Sequence, residues 1–174
     1  LGHPSFRMAI NVSHAQFREP DFVESLLSAI EDSEVSPANV EIELTESVAI
    51  DNIDLINEKL LKIRDAGISV AIDDFGTGFS SLSILRQLHV NRLKIDRSFV
   101  SGPESHRDDF GIADMVISLA RQLNLSTTAE GIETQSQHEK LCALGCNDGQ
   151  GYLYSKPLET RDFEAELSKQ ASSL

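Results

Sequence analysis

The sequence has few cysteines, no tryptophan and a shortage of basic residues. Its two cysteines, Cys142 and Cys146, are too few for a secreted disulfide framework and lack the partners of a zinc site. We interpret them as reduced thiols of a cytoplasmic protein. The formal net charge of −13 disfavours a surface that binds DNA or RNA, because such surfaces gather Lys and Arg on one face. An anionic ligand could still bind through metal ions.

Long apolar runs are also missing from the sequence. None approaches the roughly 20 residues that a membrane-spanning helix needs. The chain has 174 residues, of which 40% are hydrophobic, and this is enough for one soluble domain with a substantial core. We therefore expect a cytoplasmic domain, although the parent protein could still be anchored to a membrane.

Strand-like and helix-like segments alternate along the sequence. We predict strands at 7–11, 40–44, 69–73, 92–96, 126–130 and 148–153, and helices at 21–31, 53–66, 80–87, 109–123, 135–144 and 161–167. A repeated strand–helix order is typical of a parallel sheet whose strands are joined by helical crossovers. The sequence therefore predicts an α/β fold.

Alternate positions of the predicted strands differ in character. One set is mostly apolar and is expected to face the helices: Met8, Ile10, Ile42, Leu44, Val70, Ile72, Leu93, Ile95, Thr127 and Ala129. The other set is polar or small and would line a lumen: Ala9, Asn11, Glu41, Glu43, Ser69, Ala71, Asp73, Arg92, Lys94, Asp96, Thr128 and Glu130. Central strands of a doubly wound sheet would instead be nearly continuous apolar runs. The alternation favours a TIM-like (β/α)8 barrel.

A complete barrel of this type has eight strands. About six βα units can be recognised in this sequence. We therefore expect residues 1–174 to form one domain that is truncated at its N-terminus, with the two missing units before Leu1.

Polar residues stand at or near the carboxyl ends of the predicted strands, where barrels of this type carry their functional groups. They are Asn11, Glu43, Asp73, Lys94, Glu130 and Gln150. One such residue would usually just enter a solvated loop, but six on successive strands converge on one mouth. Clustered carboxylates repel each other unless a cation offsets them, and oxygen ligands favour Mg²⁺ or Mn²⁺. The adjacent Asp73 and Asp74 indicate a site for two ions.

Six short motifs resemble those of the EAL family of cyclic di-GMP phosphodiesterase domains, in the family's order and over essentially the whole chain. They are Asn11-Val12-Ser13, Glu43-Leu44-Thr45-Glu46, Asp73-Asp74-Phe75-Gly76-Thr77-Gly78, Leu93-Lys94-Ile95-Asp96, Ala129-Glu130-Gly131-Ile132-Glu133-Thr134 and Gln150-Gly151-Tyr152. The resemblance implies hydrolysis of cyclic di-GMP to linear pGpG by a water that two Mg²⁺ or Mn²⁺ ions activate.

The resemblance also implies a role for each site residue. The metal ligands would be Asn11, Glu43, Asp73, Asp74 and Glu130. The first three would hold one ion and the last three the other, so that Asp73 is shared. Lys94 would orient the attacking water, and Glu130 would be either a metal ligand or the general base, a choice that the sequence leaves open. Supporting roles beside the ligands or in the loop after Asp73 fall to Glu46, Thr77, Gly78 and Gln150.

One motif of the family is not among these residues. The family's Glu-x-Leu-x-Arg segment, upstream of the position of Asn11, supplies a further metal-ligand Glu and an Arg that contacts the substrate. The similar-looking segment at 58–62 lies in a predicted helix, where Glu58 and Lys62 form an ordinary i, i+4 pair. We expect the chain alone to be poorly soluble or inactive, because an open barrel exposes strand edges, and the full-length parent to be active.

Two other functions are compatible with parts of this pattern. A receptor could bind cyclic di-GMP without hydrolysing it, and an unrelated enolase-like barrel would also place carboxylates at strand ends. The loop at 73–78 favours the EAL family over the second alternative. By resemblance, such domains can form homodimers and are commonly fused to, or regulated by, sensor or diguanylate cyclase domains.

Overall fold

The computed structural model describes residues 6–50, 52–77, 82–100 and 109–171. Its strands are β1 (Met8–Val12), β2 (Val40–Thr45), β3 (Ser69–Phe75), β4 (Arg92–Ile95), β5 (Ser126–Ala129) and β6 (Asp148–Gly149). Its helices are α1 (His14–Arg18), α2 (Phe22–Asp32), α3 (Ile53–Asp65), α4 (Leu82–Leu85), α5 (Asp109–Gln122), α6 (Gln135–Leu144) and α7 (Thr160–Ala171). Short 3-10 turns follow β2 at Glu46–Ile50 and β4 at Arg97–Phe99.

The six strands of the described residues form one parallel sheet in which the spatial order follows the chain order, from β1 to β6. This order is that of a barrel wall, in which each helical crossover leads to the next strand. The sheet is therefore a half-barrel, and the predicted α/β fold with a partial set of TIM-like units is confirmed. None of the helices in the described ranges combines the length and the apolar character that crossing a membrane requires.

The hydrophobic core lies between the outer face of the sheet and the helices. Ile42, Val70, Leu93 and Ile95 are each 0% exposed, as is Ile63 of α3. The strand residues alternate with polar ones, as the period of two in a strand requires. The predicted division between an apolar outer face and a polar inner face is therefore confirmed for β2, β3 and β4.

The outer face of β1 differs from the prediction. Met8 and Ile10 were expected to pack under helices, but they are 50% and 38% exposed. The reason is that β1 is an edge strand of this sheet and has only β2 as a neighbour among the described strands. An edge strand has less of the structure packed around it than a central one.

The sixth strand is shorter than predicted. The strand was predicted over 148–153, but β6 ends at Gly149. The chain then turns against the loop after β5: Ile132 N–H donates to Gln150 O at 3.1 Å, and Leu153 N–H donates to Ile132 O at 2.9 Å. Any side chain at Gly151 would collide with the Ile132 backbone, since its Cβ would lie 2.2 Å from Ile132 O. This close contact requires glycine and ends the strand early.

Candidate metal centre

The predicted site residues lie at the edge where the strands end. Side chains alternate along a strand, so Glu43 of β2 and Lys94 of β4 point away from the helices and into the lumen. Both are buried, at 6% and 4% exposure. Asn11 of β1 pairs in register with Glu43, and Glu130 directly follows β5. Parallel pairing thus brings residues from four strands to one edge.

Lys94 lies at the centre of a cluster of ion pairs. Its Nζ lies 2.6 Å from Glu130 Oε1, 2.7 Å from Glu43 Oε2 and 3.1 Å from Asp73 Oδ1. Burial by itself lowers the pKa of Lys94, but the hydrogen bonds and charges of Glu130 and Glu43 outweigh it and raise the pKa above its usual value. Lys94 is therefore a fixed cation that partly balances the acidic residues around it.

A local irregularity in β3 brings two adjacent carboxylates to the same side. In a regular strand, Asp73 and Asp74 would point to opposite faces. The pairing of β3 with β4 shifts register between Ile72 and Phe75, and Asp74 has a left-handed backbone with φ 54°. Aspartate tolerates this conformation better than most residues do. The irregularity re-aims the side chain, as β-bulges near functional sites often do.

Three carboxylates converge as a result. Asp73, Asp74 and Glu130 each offer an oxygen, and these oxygens lie within 4.8 Å of one another. A set of carboxylate oxygens without sulfur or nitrogen fits Mg²⁺ or Mn²⁺. The same three residues are those that the sequence resemblance assigned to the second ion. The geometry therefore fits a divalent cation held by these residues.

The electrostatics also favour a cation at this position. Burial raises the pKa of Asp74, and the charges of Asp73 and Asp96 raise it further. Burial likewise raises the pKa of Glu130; Lys94 opposes this shift, whereas the charges of Asp73 and Glu43 add to it. Burial and the neighbouring carboxylates thus both disfavour a negative charge on Asp74 and Glu130, even with Lys94 present. A divalent ion bound by these carboxylates would stabilise their ionised forms.

Asp96 belongs to the same cluster, although the sequence analysis gave it no role. It lies just after β4, two positions beyond Lys94, and its side chain hydrogen-bonds to that of Asp74. Burial acts to raise the pKa of Asp96, but hydrogen bonds from Ser98 and Arg97 lower it. Asp96 belongs to the lumen-facing set of alternate strand residues, and this position could have predicted its presence in the site.

The loop after β3 is tied to the end of β2. Gly76 N–H donates a hydrogen bond to Glu46 Oε2 at 3.1 Å, and Glu46 is 7% exposed. Gly76 has φ 99°, a conformation that favours glycine, and Thr77 Oγ1 donates to Asp74 O at 2.8 Å. Glu46 and Thr77 therefore contact the loop that carries Asp74. Gly78, to which the sequence analysis gave a supporting role, lies outside the described residues.

Gln150 directly follows β6, at the end of the sheet opposite to β1 and Asn11. Its N–H donates to Ala129 O at 2.8 Å, which continues the pairing of β5 and β6 past the end of the strand. A cavity of about 350 Å³ in the lumen is lined by Gln150 together with Glu43 and Lys94. The backbone thus places Gln150 at the mouth of the lumen, next to Glu130.

Comparison with known proteins identifies the family of this chain. The EAL domain family model matches residues 1–157. The chain is 37% identical over 167 residues to "Bifunctional diguanylate cyclase/cyclic di-GMP phosphodiesterase MucR" of Pseudomonas aeruginosa, covering 96% of this chain and 24% of that protein. It is 38% identical over 166 residues to "Cyclic di-GMP phosphodiesterase NbdA" of the same organism, covering 95% and 21%. The chain thus spans about a quarter or less of the length of these relatives.

Solved structures give the same result. The "PaMucR Phosphodiesterase, c-di-GMP complex" superposes with a TM-score of 0.88 at 38% identity, over 93% of this chain and 66% of that one. "Klebsiella pneumoniae BlrP1 pH 9.0 manganese/cy-diGMP complex" superposes with a TM-score of 0.77 at 32% identity, over 87% and 39%. The half-barrel thus belongs to a known class of α/β domain. The chain belongs to the EAL domain family, which rules out the enolase-like alternative.

Proposed function

We propose that this domain hydrolyses one phosphodiester bond of cyclic di-GMP to give linear pGpG, in a reaction that requires Mg²⁺ or Mn²⁺. The observation that carries the proposal is the convergence of Asp73, Asp74 and Glu130, with Lys94 bound to two of the three. Support for the substrate comes from the relatives, since MucR and NbdA are both named as cyclic di-GMP phosphodiesterases.

The five metal ligands in this proposal are drawn from four strands or strand ends. They are Asn11, Glu43, Asp73, Asp74 and Glu130, with Asp73 shared between two ions. When bound, two divalent ions would activate a water molecule and offset the charge that develops on the phosphoryl oxygens. The pKa values of Asp74 and Glu130 are raised, chiefly by burial, and a bound cation would oppose that shift.

Lys94 and the supporting residues have separate tasks. Lys94 holds Glu43, Asp73 and Glu130 in place and supplies a fixed positive charge beside an anionic phosphodiester. Glu130 either remains a metal ligand or accepts the proton of the attacking water. The supporting residues keep the loops around the ligands in position; they are Glu46, Thr77, Gly78 and Gln150.

The test is incubation of the full-length protein with cyclic di-GMP and Mn²⁺, with separation of the products by chromatography. We expect pGpG, and we expect its formation to stop in EDTA. The Asp73→Asn variant should lose activity by at least about 100-fold, because a ligand shared by both ions is lost. Asp65→Asn is a matched control, because Asp65 lies on the exposed end of α3. Tight binding of cyclic di-GMP without any pGpG would support the receptor alternative instead.

Two features of the whole protein are part of this proposal. We expect the domain to be joined to, or regulated by, sensor or diguanylate cyclase domains, as the name of the bifunctional relative MucR suggests, and to act as a homodimer. We also expect it to work in the cytoplasm. Two cysteines without a disulfide, Cys142 and Cys146, suit a reducing compartment.

A further inference from the structure

Two tiers of charged and polar residues lie in the lumen, one below the other. The upper tier is the candidate metal centre around Lys94. The lower tier consists of Glu41, Arg92, Thr128 and Asp148. In it, Arg92 Nε donates to Glu41 Oε2 at 3.2 Å, and both side chains are buried, at 8% and 7% exposure. Arg92 Nη1 donates to Thr128 Oγ1 at 2.6 Å and to Asp148 Oδ2.

One guanidinium thus joins strands that are not neighbours. Glu41 belongs to β2, which is separated from β4 by β3, and Asp148 belongs to β6, which is separated from β4 by β5. Neighbouring strands lie about 4.8 Å apart, so second neighbours in a flat sheet are roughly 10 Å apart. Arg92 reaches both sides because the sheet curves around it. On β3, which lies between β2 and β4, the residue paired with Arg92 is Ala71. Its side chain is only a methyl group, so it leaves room for the guanidinium.

The upper tier uses the same strands. Lys94 follows Arg92 by two residues on β4, and Glu43 follows Glu41 by two residues on β2, which places the tiers roughly 6–7 Å apart along the strands. The distance between β2 and β4 at the lower tier, which Arg92 sets, therefore also determines their distance at the upper tier. At the upper tier it determines whether Lys94 reaches Glu43, now 2.7 Å away, and Glu130, now 2.6 Å away.

We propose that Arg92 is a positioning residue of the candidate metal centre. Through the lower tier it fixes the curvature of the sheet, and thereby the distances among the carboxylates above it. A buried ion pair is a poor means of gaining stability, since a well-packed apolar pair often stabilises as much or more. A planar guanidinium, by contrast, bonds several oxygens in fixed directions. This inference depends on one part of the proposed function, namely that the carboxylates bind a divalent ion; it does not depend on hydrolysis.

The test measures Mn²⁺ binding to the full-length protein by calorimetry, without substrate, alongside kcat and KM as functions of Mn²⁺ concentration. Arg92→Met should raise the Mn²⁺ dissociation constant about 10–100-fold, the usual effect of losing a residue that orients metal ligands. Excess Mn²⁺ should restore most of kcat, with KM for cyclic di-GMP unchanged. Arg92→Lys, which keeps the charge without the fork of donors, should bind Mn²⁺ with intermediate affinity.

Two further variants distinguish a loss of Mn²⁺ binding from a loss of folding. Arg92→Met alone leaves buried Glu41 with only the longer ion pair to Arg7, at 3.5 Å. The double variant Glu41→Gln/Arg92→Met removes both charges of the buried pair and should fold while still binding Mn²⁺ weakly. Arg64→Met removes an exposed arginine of α3 and should bind Mn²⁺ as the wild type does. If the double variant had wild-type Mn²⁺ affinity, with only its melting temperature lowered, Arg92 would be a stabilising residue and the proposal would be overturned. Mn²⁺ binding without pGpG formation would count against the proposed function alone.

Discussion

Replacing Lys94 with methionine would leave the carboxylates of the candidate metal centre without their shared cation. Methionine keeps the length and apolar stem of lysine but not its charge. Lys94 is 4% exposed and makes ion pairs shorter than 3 Å to Glu43 and Glu130. Removing one partner of a buried pair costs about 3–5 kcal/mol. In a domain of this size, that corresponds to a fall of roughly 6–20 °C in Tm.

The assay is thermal unfolding of the Lys94→Met variant in EDTA and in excess Mn²⁺. In EDTA the variant should melt well below the wild type. The fall in Tm should be largest at neutral pH and smaller at acidic pH. The reason is that a carboxylate whose pKa is raised in the folded state stabilises that state at low pH, and this contribution disappears as the pH rises through the raised pKa. In Mn²⁺ the difference should narrow, because bound ions take over the charge balance and stabilise the folded state. Hydrolysis should nevertheless stay impaired.

The matched control is Lys62→Met. Lys62 is an exposed lysine of α3 that pairs with Glu58 at 3.2 Å, and such surface pairs contribute about 0–1 kcal/mol. Its Tm should therefore hardly change. If Lys94→Met melted at the wild-type temperature in EDTA at neutral pH, Lys94 would not be balancing the charge of the carboxylates around it, contrary to what its three ion pairs imply.

Three other measurements test separate features. Because the pKa values of Asp74 and Glu130 are raised, protons should compete with metal, and Mn²⁺ affinity measured by calorimetry should fall from neutral to acidic pH; a constant affinity would contradict this. Glu46→Gln keeps an acceptor for Gly76 N–H but removes its charge, so chemical unfolding should show a loss of about 1 kcal/mol, with a lower kcat. Ile63→Ala, in the core, should cost about 2–5 kcal/mol in urea unfolding and leave KM unchanged.

The inner and outer faces of the sheet could be predicted from the sequence because strand geometry leaves little choice. Successive side chains must point to opposite faces. Once Ile42 and Leu44 were assigned to the core, Glu41 and Glu43 had to face the lumen, where they meet Arg92 and Lys94. The regular alternation of side chains along the strands therefore predicts most of the residues that face the site.

The features that could not be predicted depend on local departures from that period. The register shift in β3, which turns Asp74 toward Asp73, has no signature in the alternation of residues. The early end of β6 depends on the contact of Gly151 with Ile132, a residue far away in sequence. Helix α1 is only five residues long and shows no helical periodicity, although its capping box of Ser13 and Gln16 is a recognisable start signal.

The irregularity in β3 also bears on how the site tolerates changes in chain length. Asp73 and Asp74 share a side only because one residue of β3 is out of step with β4. Deleting Phe75 would let the strand resume its regular pleat and turn Asp73 and Asp74 to opposite faces. Substitutions can weaken a ligand one at a time, whereas this deletion would take apart the shared coordination in one step. The length of this strand is therefore as specific a requirement as the identity of its acids.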